Sequence, residues 1–451
     1  MKTDLFAKYF DIVKETDTIT CVGYVCRVQG LLIESRGPHA VIGEVCVLFA
    51  RGTKIRAEVV GLARDGIVQL MVYGETTGVE VGCRIKATGK LLSVACSPEL
   101  LGRVLGPTGE PIDGKGAIAT SVRYPALASP PPALSRPPVK KRVVTGIRAL
   151  DALLATGNGQ RMGIFAGSGV GKSTFQGMLA RNTSADVNVI ALIGERGREL
   201  NDFIEQNLGE EGLKRSVIVV ATSDQSALAR LRGAYIAAAC AEYFRDRGMN
   251  VMFLFDSVTR FARAQREIAL STGEVPAQRG YTPSVFDILP KLLERAGTSG
   301  RGTITAFYTV LVDGDDLDEP VSDNVRGILD GHIVLSRRLA ARGHYPAVDV
   351  LQSISRLADD ISGAETKKAV RIVRRLIADY AEAEDMINAG AYKQGSNPAL
   401  DAAILKHDEI ERFLEQDTDG KATLAETLSA LGKIAGIDIP EAEWSIGSET
   451  T

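Results

Sequence analysis

Ala166-Gly167-Ser168-Gly169-Val170-Gly171-Lys172-Ser173-Thr174 follows the apolar run Met162–Phe165 and precedes a helix-compatible stretch. Strand, glycine-rich turn and helix in that order make a phosphate-binding loop, A/G-x-x-x-x-G-K-S/T, with Ala where the stricter pattern has Gly. Glycines let the backbone fold tightly enough for several N–H groups to converge on one anion. The following helix N-terminus adds a favourable field. Lys172 is placed to neutralise β- and γ-phosphate oxygens, and the Ser173 hydroxyl to ligate Mg²⁺.

Around this loop, from about residue 143, apolar strands alternate with helical segments. The strand candidates are Met162–Phe165, Val187–Ile193, Val217–Ala221, Val251–Phe255, Thr303–Leu311 and Ile333–Ser336. They are apolar on both faces, which suits a mostly parallel sheet covered by helices, an α/β fold. Asp256 ends the run Val251–Phe255, so its carboxylate is expected at the carboxyl edge of the sheet, beside the loop. The alternative there is a strand-end cap. Glu195 follows Val187–Ile193 at the same edge, where a carboxylate can polarise an attacking water. Its context, Glu195-Arg196-Gly197-Arg198-Glu199, reads equally well as a solvated loop.

Further out the pattern changes. Residues 20–93 hold short β-branched runs (Thr18–Val25, Ala40–Val47, Lys54–Leu62, Ile67–Val72) separated by glycines and charged turns, which predict a small antiparallel barrel. Pro125, Pro130, Pro131, Pro132, Pro137 and Pro138 predict an extended surface segment. From about 362 the pattern is helical, with Lys368–Ala381 and Ala402–Leu414 at helical period. Leu5, Phe6, Tyr9, Phe10 and Val13 predict a short amphipathic helix near the start, packed either on its own domain or on a partner. The expected division is 1–19, 20–93, 94–361 and 362–451.

Of the 451 residues 45% are apolar and 24% charged, with formal charge −3, which excludes wholesale disorder and a globally basic nucleic-acid binder. No run of about 18 apolar residues is present, so no membrane-spanning helix is expected. MKTDLFAKYFDIVKE does not read as a signal peptide. Six cysteines without a Cys-x-x-Cys pair read as small buried side chains in a reducing compartment, which points to the cytoplasm.

Taken in order, Thr145-Gly146-Ile147 with Asp151, Gly159-Gln160-Arg161, the phosphate loop, GERGRE at 194–199, Asp256-Ser257, GYTPSVF at 280–286, ITAFYTVL at 304–311, LDGHIVLSR at 329–337, YPAVDVL at 345–351 and SISR at 353–356 resemble the catalytic subunits of rotary ATPases. They resemble more closely still the export ATPases of the bacterial flagellum and of type III secretion. GAYKQGSNPALDAAI at 390–404 is similar to the helical segment of those ATPases, and AGSGVGKST looks like the flagellar branch. The resemblance implies a RecA-like core with an N-terminal β-barrel and a C-terminal helical domain. It implies Lys172 on the β/γ-phosphates, Glu195 positioning water, Asp256 organising Mg²⁺ through water, Tyr345 stacking on adenine, Arg356 as an arginine finger in a neighbour's site, and Arg196 as a second phosphate-sensing arginine. ATP and Mg²⁺ are the implied ligands. Because one chain carries both Glu195 and Arg356, a homohexamer is the economical assembly.

The implied partners are a regulatory protein at the N-terminal helix, a stalk-like protein at the C-terminal domain, and the export gate, chaperones and export substrates, with peripheral contact at the inner membrane and no nucleic acid. An injectisome ATPase and a hexameric nucleic-acid translocase are the alternatives; a non-hydrolysing structural subunit is disfavoured by Glu195. Two other features carry blander readings. Glu415-x-Asp417-x-Asp419-Gly420-x₅-Glu426 has calcium-loop spacing but the wrong first ligand, and an interhelical turn is expected. Lys367, Lys368, Arg371, Arg374 and Arg375 read as a solvated basic helix face.

Overall fold

The computed structural model describes residues 21–312 and 316–444. The N-terminal helix expected over residues 1–19 lies outside them. The chain forms two compact units.

The first unit comprises the described residues up to Leu92 together with Gln225–Ala229 and Glu267–Val275. Its centre is a closed barrel of β1 (Val22–Gln29), β2 (Leu32–Arg36), β3 (Glu44–Ala50), β4 (Thr53–Leu62), β5 (Ile67–Val72) and β6 (Arg84–Leu91). The strands pair antiparallel in the order β1-β2-β5-β4-β3-β6, with β6 returning to β1. Alternate side chains turn inward, so Ile33, Cys46, Leu48, Val59, Leu70 and Ile85 fill a dry centre. The strands β2 and β6 carry no apolar run that the sequence pattern isolates. Their sequences, LIESR and RIKATGKL, carry two charges in five residues and three in eight, and only closure of the barrel recruits them.

The second unit is built on a nine-stranded sheet. Eight strands run in sequence as β7 (Arg103–Leu105), β8 (Arg161–Ala166), β9 (Val187–Ile193), β10 (Ser216–Ala221), β11 (Asn250–Asp256), β12 (Thr303–Leu311), β13 (Gly331–Leu335) and β14 (Val348–Ser355). In space the order is β14-β13-β8-β12-β11-β9-β10-β7, and the two-residue strand Gly297–Thr298 pairs with β12. Pairing along this order is parallel except for β13–β14. All six strands expected from the apolar runs are present. The edge strands β7 and β14 were not expected. β7 has three residues, and β14 alternates buried and exposed positions because one side meets solvent.

The proline segment is mostly extended. Arg123–Pro125 pairs with Ser93–Ala95, and one helical turn interrupts it at Ala133–Ser135.

Helix α1 (Lys172–Asn182) follows the phosphate loop. At the C-terminal end lie α2 (Ala364–Asn388), α3 (Pro398–Leu414) and α4 (Leu424–Ala435). Their ends are well capped. Asn397 accepts from the Ala399 and Leu400 amides, and the Glu443 carboxylate takes the Glu365 and Thr366 amides of α2. These helices share one apolar core with the sheet, which includes Leu150, Phe413, Leu424, Leu428 and Leu431. Among the described residues no helix is long and apolar enough to cross a membrane.

Candidate active site

β8 delivers Ala166 to the carboxyl edge of the sheet, and the chain turns through Gly167–Gly171 into α1. Gly169 and Gly171 have φ of +78° and +85°, which side-chain-bearing residues rarely adopt. Gly171 is the N-cap of α1 and no side chain caps that end, so the first-turn amides are available to an anion.

The loop borders a cavity of about 510 Å³, whose walls also include Glu195, Arg196, Arg260 and Arg263. A second cavity of about 290 Å³ shares Gly169, Gly171 and Thr174 with it and is lined further by Phe175, Tyr345 and Gln416. A methyl group on Gly171 would stand 3.4 Å from the Tyr345 ring, so the ring lies directly against the loop. One chamber is polar and charged, the other has an aromatic wall. Together they have the shape and chemistry for a phosphate chain joined to a flat base.

The polar chamber is organised by long-range pairing. Asp256 closes β11, its carboxylate accepting from Thr309 Oγ1 of β12 at 2.6 Å and from Lys172 Nζ at 2.8 Å. Glu195 follows β9, its Oε1 lying 3.3 Å from Lys172 Nζ and 3.4 Å from Arg260 Nε. Gly194 makes room for Arg260, since a Cβ there would sit 2.6 Å from the arginine Cδ. Burial lowers the Lys172 pKa, but the charges of Asp256 and then Glu195 outweigh it, and the ammonium is held above the usual lysine value.

Ser173 is exposed in the first turn of α1 and lines this chamber, and Asp256 ends β11, the strand beyond β12. No group of three or more His, Cys, Asp or Glu among the described residues can hold a metal by itself. A hydroxyl with one nearby carboxylate fits Mg²⁺, which keeps several waters and arrives with phosphate oxygens.

Lys172, Glu195, Arg196, Tyr345 and the loop 166–174 therefore line two adjoining cavities, with Asp256 buried behind Lys172. Arg196 is exposed and paired with Glu199 at 3.6 Å. Arg356 is not with them. It follows β14, is exposed, lines neither cavity, and donates from Nη2 to the Arg326 carbonyl at 3.5 Å. Sequence reasoning missed Arg260, Thr309 and Gln416. Arg260 stands four residues after Asp256, one helical turn on, which is the only local signal it offers. The acidic turn after α3 holds no cation site. Glu426 spends its carboxylate on a capping box with Thr423, and Gln416 bonds the Gly146 and Gly420 carbonyls.

A phosphate loop at the carboxyl edge of a mostly parallel sheet, with a carboxylate pair and a base-sized aromatic chamber, defines a P-loop nucleoside triphosphatase. Family models agree. Residues 146–355 match the nucleotide-binding domain of the ATP synthase alpha/beta family, residues 25–89 match its beta-barrel domain, and residues 362–433 match the T3SS EscN ATPase C-terminal domain. The flagellum-specific ATP synthase of Treponema pallidum is 60% identical over 443 residues, covering 98% of this chain and 99% of that protein. The assembled type III secretion ATPase EscN of enteropathogenic E. coli superposes with TM-score 0.87 at 41% identity, covering 92% of this chain and all of that one. EscN in complex with its central stalk EscO gives 0.85 at 40% identity, with the same coverage. The chain belongs to the family of flagellum-specific ATP synthases and type III secretion ATPases. It is an ATP-hydrolysing enzyme.

Proposed function

We propose that the chain is the ATPase of a flagellar protein-export apparatus, hydrolysing Mg²⁺-ATP between subunits of a homohexamer to energise or gate export. The observation that carries the reading is Lys172 Nζ held between Asp256 at 2.8 Å and Glu195 at 3.3 Å on the wall of a phosphate-sized chamber. A polyphosphate entering this chamber competes for the ammonium. As Lys172 turns to the phosphate oxygens, Glu195 is released from it and can orient a water toward the γ-phosphorus. Ser173 and Asp256, the latter held by Thr309, would hold Mg²⁺, which would supply charge neutralisation to the leaving phosphates. Arg196, Arg260 and Arg263 add positive field, and Tyr345 offers its ring to adenine.

Arg356 is assigned to the neighbouring chain's site. Its exposure and its place outside its own chain's cavities support that role. The 60% identity to the flagellar relative of Treponema pallidum, against 50% to the type 3 secretion system ATPase of Xanthomonas euvesicatoria, favours the flagellar branch over an injectisome. The EscN–EscO complex supports a stalk-like partner at the C-terminal helices here. A regulatory protein at residues 1–19, and chaperones, substrates and an export gate at the cytoplasmic face of the inner membrane, complete the proposal. The functional division is the one at residues 20, 94 and 362.

The test is specific ATPase activity against protein concentration, for wild type and Arg356→Ala. Activity per chain that climbs with concentration, with the variant near zero throughout, supports shared sites. Flat activity with a harmless Arg356→Ala refutes them.

A further inference from the structure

Strand β8 has different neighbours at its two ends. Ala166 at its carboxyl end opens the phosphate loop. At its amino end stands Gln160, fully buried. The Gln160 amide nitrogen donates to the Asp330 carbonyl at 3.2 Å and to Ser355 Oγ at 3.0 Å, and its oxygen accepts from the Gly157 amide at 2.8 Å. The Asp330 carbonyl also accepts from the backbone N–H of Arg356, at 3.0 Å. Ser355 passes its own proton to the Ala155 carbonyl at 2.7 Å. Arg161, next in line, gives three hydrogen bonds of 3.0 Å to the Asp330 carboxylate, from its backbone N–H, Nε and Nη2. Gly331 lets the strands close here, since a Cβ would lie 2.5 Å from the Ile354 carbonyl.

This end of the sheet is tied down far more heavily than a strand terminus requires, and the knot lies directly beneath an exposed side chain. The Arg356 backbone is held through Asp330 and Ser355, while its guanidinium has the single 3.5 Å bond to Arg326. A fixed base with a free head suits a group that acts outside its own chain. A buried amide that lost its donors would deprive both acceptors of a bond and leave the base loose.

We propose that Gln160 is a positioning residue for Arg356. Its amide locks Asp330 and Ser355 together, and so sets where the guanidinium reaches in the neighbouring site. The inference rests on the trans assignment of Arg356. It makes β8 a strand that carries the chain's own phosphate loop at one end and, about 20 Å away at the other, the anchor of the arginine that serves the neighbour's site.

The experiment is a mixing assay with full-length chains. Gln160→Met keeps length and bulk but cannot donate. Alone it should lose at least about tenfold in kcat, with KM for ATP within about twofold, as misplacement of a remote group predicts. Mixed with Lys172→Ala chains, which lack a working loop but keep a good arginine, it should regain activity. Mixed with Arg356→Ala chains it should not. The reverse pattern, rescue by Arg356→Ala and none by Lys172→Ala, means that Gln160 serves its own phosphate loop and overturns the proposal. Full activity of Gln160→Met overturns it as well. A control mixture of Lys172→Ala with Arg356→Ala separates the two readings. If it stays inactive, the trans assignment falls and takes the proposal with it; if it is active, the Gln160 pattern decides alone. Should Gln160→Met fail to fold, Ser355→Ala cuts the same bond from the other side and is read in the same mixtures.

Discussion

Lys172 Nζ lies 2.8 Å from Asp256 Oδ1, joining a helix N-terminus to the end of a strand 84 residues further along the chain. The same nitrogen reaches Glu195, so one cation restrains both acidic groups of the site.

Replacing Glu195 by Gln removes the group that orients water while leaving the loop and Lys172. Turnover should fall by about 10²–10⁴. Nucleotide affinity should hold or rise, because a competitor for Lys172 has lost its charge. Phosphate release and equilibrium binding of a fluorescent ATP analogue, measured side by side, check this. Loss of both together would contradict the role.

Tyr345 presents its ring beside Gly171 and is 43% exposed, so removing it costs the fold little. Tyr345→Ala should raise KM for ATP by about tenfold, in line with stacking worth roughly 1–3 kcal/mol, and Tyr345→Phe should restore it. Steady-state kinetics of the three proteins decide; an unchanged KM in Tyr345→Ala would place the base elsewhere.

Asp113 accepts from Arg103 Nε at 2.6 Å and Nη2 at 2.9 Å, and from the Val104 and Lys115 amides. The bonds from Arg103 outweigh burial and hold its carboxyl well below the usual range. A depressed carboxylate stabilises the fold at any pH above its unfolded value, near 3.8, and that contribution is lost as pH falls through the folded value. Asp113→Asn should therefore lower stability by about 3 kcal/mol at neutral pH, stranding a buried guanidinium. Between about pH 4 and 2 the gap to wild type should narrow, since wild type then loses the same contribution. Urea titrations across pH measure both effects.

Of the six cysteines, Cys21 and Cys26 are exposed and Cys46, Cys83, Cys96 and Cys240 are buried. Burial, with a smaller contribution from Glu44, pushes the Cys46 thiol up to about 12. A thiol-disulfide reagent at pH 8 should label two thiols promptly in the native protein and six after denaturation. Fast labelling of more than two would mean that the barrel, which holds Cys46 and Cys83, or the second unit, which holds Cys96 and Cys240, opens readily.

Much of the central sheet is readable from residue order. β9, β10, β11 and β12 are almost wholly apolar because both their faces are covered, and an unbroken apolar run of that length has few other uses. β14 escapes such reading. It begins just after Pro346, alternates buried and exposed residues, and becomes a strand only because β13 offers it an edge. β7 is three residues long, and the Arg103–Asp113 pair fixes the turn beside it. The site divides in the same way. The loop 166–174 declares its chemistry in nine consecutive residues, whereas Glu195 taken alone is a charge in a charged loop. Only the fold sets it apart, by having it share Lys172 with Asp256.

Residue order by itself determined the phosphate loop, the strands that carry it and the order of barrel, sheet and helices. Each of these depends on conformational preference and apolar periodicity within a few neighbouring residues. Only the tertiary structure decided which charges share a cavity, that Tyr345 closes against Gly171, and that Arg356 stands outside its own chain's site on a base held by Gln160. Those pairings depend on sheet register and on the burial of polar groups that must find partners, and both are settled by the packing of segments far apart in the chain.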